Sequence, residues 1–285
     1  MTLATVIIPT TGDRGPLLEF SVGSVLRQSL SDLEVFVVGD GVSASTRATI
    51  KAICAKDERV RFVDREKHSR RGEPIRDEIL RDVATGRIVT YLCDRDLWFS
   101  DHLAELDAVL NDSDFAATLF ARAENEMSFE LRPHPSLSTL AALPRRRRPE
   151  HVSPLSMVGH TREAYLRLPY GWRETPSGFK TDSYMWHQFV DQRWIRSMSS
   201  SLPTVIYLER GAHPGMPTPQ RRELLETWNE RLLAPGGEAA VRRVILNGLR
   251  DEWTRRSARS AAGRFSSLVE NPTRRMVRSA RRRWG

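Results

Sequence analysis

Asp94 and Asp96 stand one residue apart, with Arg95 between them, directly after the apolar run Ile88-Val89-Thr90-Tyr91-Leu92. Two carboxylates at the carboxyl end of a buried strand are costly to desolvate unless a positive charge sits between them. A divalent cation carrying a diphosphate is one solution, because hard oxygen ligands suit Mg2+ or Mn2+ and the ion bridges protein to phosphate. The alternative is a loop whose acids cap a helix starting near Asp101. Thr10-Thr11 and Asp40 also follow apolar runs. In open α/β sheets, ligands bind beyond the carboxyl ends of strands, near the point where strand order reverses. Three such clusters at one sheet edge make a polar pocket.

Positioning these groups falls to alternating strands and helices. Continuous apolar runs predict strands over 5–8, 33–38, 60–63 and 88–92, the first stopped by Pro9 and the second closed by Gly39-Asp40-Gly41. Pro16 opens a helix with Leu17, Phe20, Val25 and Leu26 on one side; Ser45 caps a second, through 53; a third covers 73–83. Runs that are apolar throughout belong to strands covered by helices on both faces. The expected fold class is therefore α/β, a mostly parallel, doubly wound, Rossmann-like central sheet with helices on both faces. Two phosphate-binding loops are excluded: Gly12-Asp13-Arg14-Gly15 is not Gly-x-Gly-x-x-Gly, and no Gly-Lys-Ser/Thr occurs.

Beyond residue 115 the pattern loosens. Strands are expected over 115–120, 127–131, 156–159 and 205–208, and helices from Thr161 and, capped by Thr181, to about Gln192. Arg145 to Arg148, between Pro144 and Pro149, reads as an exposed, mobile loop. From Thr218 onward only helical patterns remain. The organisation expected is a domain over 1–215, with halves over 1–110 and 111–215, followed by a basic helical extension over 216–285.

At 285 residues the chain can form one large α/β domain and an appendage. Its net charge of +8 is unevenly placed: residues 242–285 hold 13 Arg against Asp251, Glu252 and Glu270, a net of +10, which leaves about −2 for the rest. The basic character belongs to the tail. Lysine occurs only at Lys51, Lys56, Lys67 and Lys180, a bias toward Arg. Cys54 and Cys93 are too few for a disulfide framework or a thiolate metal site, and read as small buried hydrophobes in a reducing compartment. No run of 18 apolar residues exists, and Met1-Thr2-Leu3-Ala4-Thr5 enters a strand without the basic start of a signal peptide. A cytoplasmic location is the expectation.

Several of these segments carry a resemblance in order and at the usual spacing. Thr5-Val-Ile-Ile-Pro-Thr-Thr, Ser24-Val-Leu-Arg-Gln-Ser-Leu and Leu33-Glu-Val-Phe-Val-Val-Gly-Asp-Gly are followed by Arg76, Ala84-Thr-Gly-Arg-Ile-Val-Thr-Tyr-Leu-Cys-Asp-Arg-Asp-Leu-Trp and Asp101-His-Leu. Together they resemble the nucleotide-binding half of glycosyltransferase family 2 over residues 4–110, and the likeness returns at Gly171 to Trp186. The resemblance implies a GT-A fold, an inverting transferase, a nucleoside-diphosphate sugar donor (a UDP-sugar first), a hydroxyl acceptor and Mn2+ or Mg2+. Matched by position, Pro9, Thr10 and Thr11 form the loop that contacts the base. Asp40 hydrogen-bonds it, and Gly72 and Arg76 flank the nucleotide. Asp94 holds the ribose, and Asp96 is the metal ligand that presents the diphosphate. Two positions depart from the family's pattern. Gly39 stands where an acid is common, and Arg95 occupies a slot often acidic, where it could weaken metal binding or contact phosphate directly.

Inverting transfer also needs a general base to take the acceptor hydroxyl's proton, while a metal stabilises the leaving diphosphate. The family's base is an acid near the start of a helix in the second half of the domain, which selects Asp182, with Glu174 in reserve. Trp172, Tyr184 and Trp186 are read either as a sugar platform or as core aromatics. His213, beside Pro214, is read as a loop histidine before a metal ligand, and His160, after another strand, is left uncommitted. The basic C-terminal helices, over 241–249 and 253–269, could lie on an anionic membrane. Nucleic-acid binding is not expected, since no recognised module accompanies the charge. The rival reading is a catalytically inactive GT-A-like binding or scaffold module that uses the basic tail, favoured by Arg95 and Gly39. A nucleotidyltransferase would need a Gly-rich basic triphosphate loop that this chain lacks.

Overall fold

Four strands rich in β-branched residues, β1 (Ala4–Gly12), β2 (Leu33–Val42), β3 (Val60–Arg65) and β4 (Ile88–Tyr91), form the parallel half of one sheet. The structure is a computed structural model, and it describes residues 2–123, 125, 129–130, 136–208, 214–255 and 257. Five further strands complete the sheet among these residues: β5 (Leu97–Trp98), β6 (Phe115–Ala123), β7 (Phe129–Glu130), β8 (Val158–Thr161) and β9 (Ser197–Tyr207). Their order is β3-β2-β1-β4-β8-β6-β9-β5, with β7 paired to β6. The first three strands run outward from β1 on one side and β4 returns on the other, so strand order reverses at the β1/β4 pair. That register sets Thr10 beside Gly39, and Ile7 beside Tyr91.

Alternate residues of each strand feed opposite faces, each with its own core. Val6, Ile8, Val35 and Val37 pack with α1 (Gly15–Leu26), α2 (Ala44–Lys56) and α4 (His102–Leu110) through Leu18, Val22, Ile50, Leu103 and Leu106. Ile7, Phe36, Val38 and Tyr91 face the other way. They meet α3 (Glu73–Glu78), α6 (Arg162–Leu166) and α7 (Thr181–Val190) through Ile75, Tyr165, Met185, Trp186 and Phe189. The α/β architecture with a mostly parallel sheet covered on both faces is as expected.

A third core joins the C-terminal helices to the body. Leu224, Leu225, Trp228 and Leu232 of α8 (Thr218–Leu233) pack with Leu17, Phe20, Phe99 and Ile206, and Ile245 of the next helix, over 237–255, is fully buried there. The expected helix over 253–269 and His213 lie largely or wholly outside the described residues. Among those residues no helix is long and apolar enough to cross a membrane.

Local structure differs from the sequence reading at several points. Ser43, not Ser45, caps α2, its Oγ accepting the Thr46 N–H at 3.2 Å; the capping oxygen must sit one residue before the first helical turn. Thr181 is the first residue of α7 rather than its cap, and its hydroxyl donates to Glu73 Oε1 at 3.3 Å. The helix expected over 73–83 divides into α3 and a wider, π-helical turn, Ile79–Val83. Arg145–Arg147 form a short 3-10 turn, and Arg148 is tied to the Asp191 carboxylate and the carbonyls of Leu143 and Ala141. Strand β5 and α5 (Leu137–Ala142) were not anticipated, because two and six residues are too short for a periodic signal.

Candidate functional site

Beyond the carboxyl ends of β1, β2 and β4 lies a cleft of about 300 Å3, at the place where strand order reverses. Pro9, Thr10, Thr11, Asp40, Arg76, Arg95 and Asp182 all line it. Asp94, Asp96 and Gly72 stand behind its wall. Sequence reasoning missed four further lining cations, Arg14, Lys67, Arg70 and Arg71. They sit in the loops after β1 and β3, where no motif marks them; the run Lys67-His68-Ser69-Arg70-Arg71 following a strand is the only available signal. Six cations face two carboxylates, Asp40 and Asp182, so the cleft is built for an anion.

Asp40 is buried and both of its oxygens are engaged. The His68 N–H donates to Oδ1 at 2.6 Å, and the Lys67 ammonium contacts Oδ2. Gly72 lets the chain turn over this carboxylate: its φ is +67°, and a Cβ there would meet Asp40 Cγ at 3.4 Å. Any side chain would be strained in that conformation.

Arg76, 3% exposed, is the most deeply buried cation of the cleft. Its Nη2 donates to the Arg71 carbonyl at 2.7 Å and its Cζ lies 4.6 Å from the Trp172 ring centre, while Nε and Nη1 have no hydrogen-bond partner. Burial lowers its pKa, and Asp182 is first among the charges that pull it back up.

The Asp94-Arg95-Asp96 tripeptide splits into three environments. Asp94 Oδ2 accepts from Thr10 Oγ1 at 2.9 Å and from Arg14 at 3.3 Å. Its Oδ1 has no hydrogen bond and lies 3.6 Å from the Arg95 guanidinium. Arg95 turns outward to line both this cleft and an adjoining cavity of about 340 Å3 that Arg14 and Arg221 share. Asp96 turns inward and is fully buried. Its Oδ2 accepts from Ser156 Oγ at 2.5 Å and its Oδ1 from the Leu208 N–H at 2.9 Å. Burial pushes its pKa up to about 6, opposed by Arg95, Ser156 and the Leu208 N–H.

Asp182 lies on the opposite wall, in the first turn of α7, where the helix dipole favours a negative charge. Burial nevertheless raises its pKa, with Arg76 first among the cations opposing the rise. Glu174 is exposed and outside the cleft lining. Of the aromatic residues, Trp172 and Trp186 are core: Trp172 Nε1 donates to Tyr91 Oη at 2.9 Å, and Trp186 is fully buried. Tyr184 instead lines a separate cavity of about 530 Å3, on the other face of α7 with Tyr170, Phe179, Arg173 and His187. His160 is a core residue bonded to Tyr91 Oη at 2.8 Å, and burial pushes its pKa down to about 4.

Residues 5–168, more than half of the chain, match the family model described as glycosyl transferase family 2. The chain belongs to glycosyltransferase family 2. It is 30% identical over 108 residues to the GalNAc(5)-diNAcBac-PP-undecaprenol beta-1,3-glucosyltransferase of Campylobacter jejuni, a stretch covering 38% of this chain and 34% of that protein. The match thus spans about a third of that relative's length. Among solved structures, TarS of S. aureus superposes with a TM-score of 0.55 at 14% identity, over 81% of this chain and 71% of that one. The mannosyltransferase PcManGT of Pyrobaculum calidifontis, described in complex with GDP-Man and Mn2+, gives 0.51 at 18% identity over 84% and 74%. At such identities the superpositions show a shared fold.

For this family 2 member the donor set can be tested against a divalent cation. Asp96 has both oxygens committed to Ser156 and Leu208, and neither Asp94 nor Asp96 lines the cleft. Of the four oxygens of Asp94 and Asp96, Asp94 Oδ1 alone accepts no hydrogen bond, and a guanidinium faces it. No group of three His, Cys, Asp or Glu suited to a metal occurs among the described residues. A hard cation needs oxygen ligands that face the phosphate it carries. The arrangement of Asp94, Arg95 and Asp96 does not fit one.

Proposed function

We propose that this protein is an inverting glycosyltransferase that moves one sugar from a nucleoside diphosphate, UDP foremost, to a hydroxyl acceptor. The observation supporting this reading is that the Asp182 carboxylate opens onto the same cleft as Thr10, Asp40, Arg76 and Arg95. A base, an anion-binding cluster and a strand-end polar pocket then share one cavity.

In this reading the loop Pro9-Thr10-Thr11 and Asp40 receive the base, and Thr10, through its hydrogen bond, fixes Asp94 at the ribose end. The acceptor hydroxyl oxygen attacks the anomeric carbon from the face opposite the diphosphate. As that bond forms, the bond from carbon to the diphosphate oxygen breaks and its electron pair leaves with the diphosphate. The hydroxyl proton passes to Asp182. A base whose pKa is raised holds a proton more firmly than an ordinary aspartate, which favours the transfer near neutral pH. The acceptor enters along the α7 side, where the 530 Å3 cavity with its aromatic and basic lining adjoins the helix that carries Asp182.

The body over 1–215 would then supply donor and acceptor sites, and the segment over 216–285 a basic extension anchored by Trp228 and Ile245. Trp253 and Leu246 are exposed on the helix over 237–255 beside Arg243 and Arg250, a composition suited to the surface of an anionic membrane from the cytoplasmic side. The test is thermal shift with UDP, GDP and dTDP, followed by a nucleotide-sugar hydrolysis panel comparing wild type with Asp182→Asn. Stabilisation by one nucleotide and hydrolysis lost in the variant are expected. Absence of stabilisation by all three would favour the inactive binding module instead.

A further inference from the structure

The cleft holds an excess of positive charge at the place where the family's metal would sit. Arg95 projects from between Asp94 and Asp96 into the cavity, with Nε lacking any hydrogen-bond partner. Arg14 lies across Asp94 Oδ2 and lines the same two cavities. Arg221, 6% exposed, comes from α8 to line the adjoining cavity together with Arg14 and Arg95. From the far wall, Arg76 contributes two more donor groups without partners, Nε and Nη1. Buried guanidinium donors left unpaired cost free energy unless an anionic ligand completes them, and a guanidinium binds phosphate oxygens in a bidentate fashion. The carboxylate that a metal would need is meanwhile turned inward, as a strut joining Ser156 to the backbone of Leu208.

We infer that the donor's diphosphate is bound directly by arginines, with Arg95 and Arg14 at its centre and Arg76 on the opposite wall, and that no divalent cation is required to hold it. The assignment rests on the nucleotide-sugar reading and specifies how that site neutralises its ligand. Three chain segments converge on the diphosphate: the β1–α1 loop through Arg14, the β4–β5 turn through Arg95, and α3 through Arg76. The leaving group's growing charge is met by fixed guanidinium groups already in place, which require no reorganisation as the bond breaks. Asp94, paired with both Arg95 and Arg14, holds the two cations at a spacing they would not adopt alone.

The test is isothermal titration of the full-length protein with UDP, GDP, dTDP, UMP and farnesyl diphosphate, each in EDTA and in Mn2+, using wild type, Arg95→Gln and Arg14→Gln. The expected result is a nucleoside-diphosphate affinity that changes less than about 3-fold between EDTA and Mn2+. Arg95→Gln should weaken UDP at least 10-fold, because a hydrogen bond to a charged group contributes about 1.5–3 kcal/mol. The same variant should leave UMP almost unchanged, since the second phosphate is what the arginines read. Arg14→Gln, at a partly exposed side chain, should act in the same direction and guards against a folding defect in the first variant. Diphosphate binding that appears only with Mn2+ and survives both substitutions would overturn the inference and leave the donor reading standing. Farnesyl diphosphate binding as tightly as UDP would overturn assignment of the cluster to the donor. Failure of every nucleotide to bind, with or without Mn2+, would overturn both readings together.

Discussion

Asp182 and Asp96 are both aspartates whose pKa burial raises, yet the protein uses them in opposite ways. Asp96 is sealed at the end of the β4 turn, with a hydroxyl and a backbone N–H on its two oxygens. Asp182 opens onto a cleft and is balanced by cations at a distance, Arg76 first. The difference teaches that burial alone does not mark a reactive carboxylate. Where both oxygens are held by core hydrogen-bond donors, the acid is a structural tie; where only electrostatics restrains it, the acid is free to take a proton.

The comparison is broken most directly at Asp182. Asp182→Asn should lower sugar transfer about 1,000-fold, within the range general base catalysis contributes, with nucleotide affinity retained in titrations. The sign of the stability effect follows from linkage. A folded pKa above the unfolded value means the ionised carboxylate opposes folding, a cost absent at acid pH and present once pH exceeds the raised pKa. The Asn variant carries no such charge, so its melting temperature at neutral pH should equal or exceed that of wild type. The wild-type kcat/KM should fall with decreasing pH along an acid limb set above the ordinary aspartate range, and that limb should be missing from the variant's residual activity.

Asp96 should behave in the reverse sense. Asp96→Ala leaves the Ser156 hydroxyl and the Leu208 N–H unpaired in the core and should cost about 2–4 kcal/mol in denaturant unfolding. Asp96→Asn keeps an acceptor for Leu208 and supplies a donor to Ser156 Oγ, so it should cost under about 1 kcal/mol by the same measurement. Equal losses in both variants would show that the charge, and not the two hydrogen bonds, holds the turn.

A smaller effect is expected at Ser156, which donates to Asp96 Oδ2 and accepts the Cys93 N–H at 3.0 Å. Ser156→Ala should cost about 2 kcal/mol in the same unfolding experiment, mostly through the unpaired N–H and carboxylate oxygen. Smallest of all is the surface effect of the C-terminal helix. Trp253→Ala should reduce sedimentation with vesicles rich in anionic lipid by a few-fold and leave binding to neutral vesicles unaltered.

What the residues determined on their own was the frame. Continuous apolar runs ending in Pro9, Gly39-Asp40 and Asp94 announced parallel strands with their polar groups at one edge, because a period-two strand buried on both faces leaves no other place for charge. They also singled out Asp182, through a family likeness rather than through any local pattern. The tertiary structure decided which way each side chain turned. Asp96 and Arg95 are adjacent in the chain, but one is pulled inward by Ser156, 60 positions away, and by Leu208, 112 positions away, while the other is left facing the cleft. Arg14, Lys67, Arg70 and Arg71 became cleft residues only when β1 and β3 were laid beside their neighbours. Such contacts join positions far apart in the chain, so no spacing rule encodes them; they arise from packing two cores against one sheet and satisfying every polar group that the packing traps.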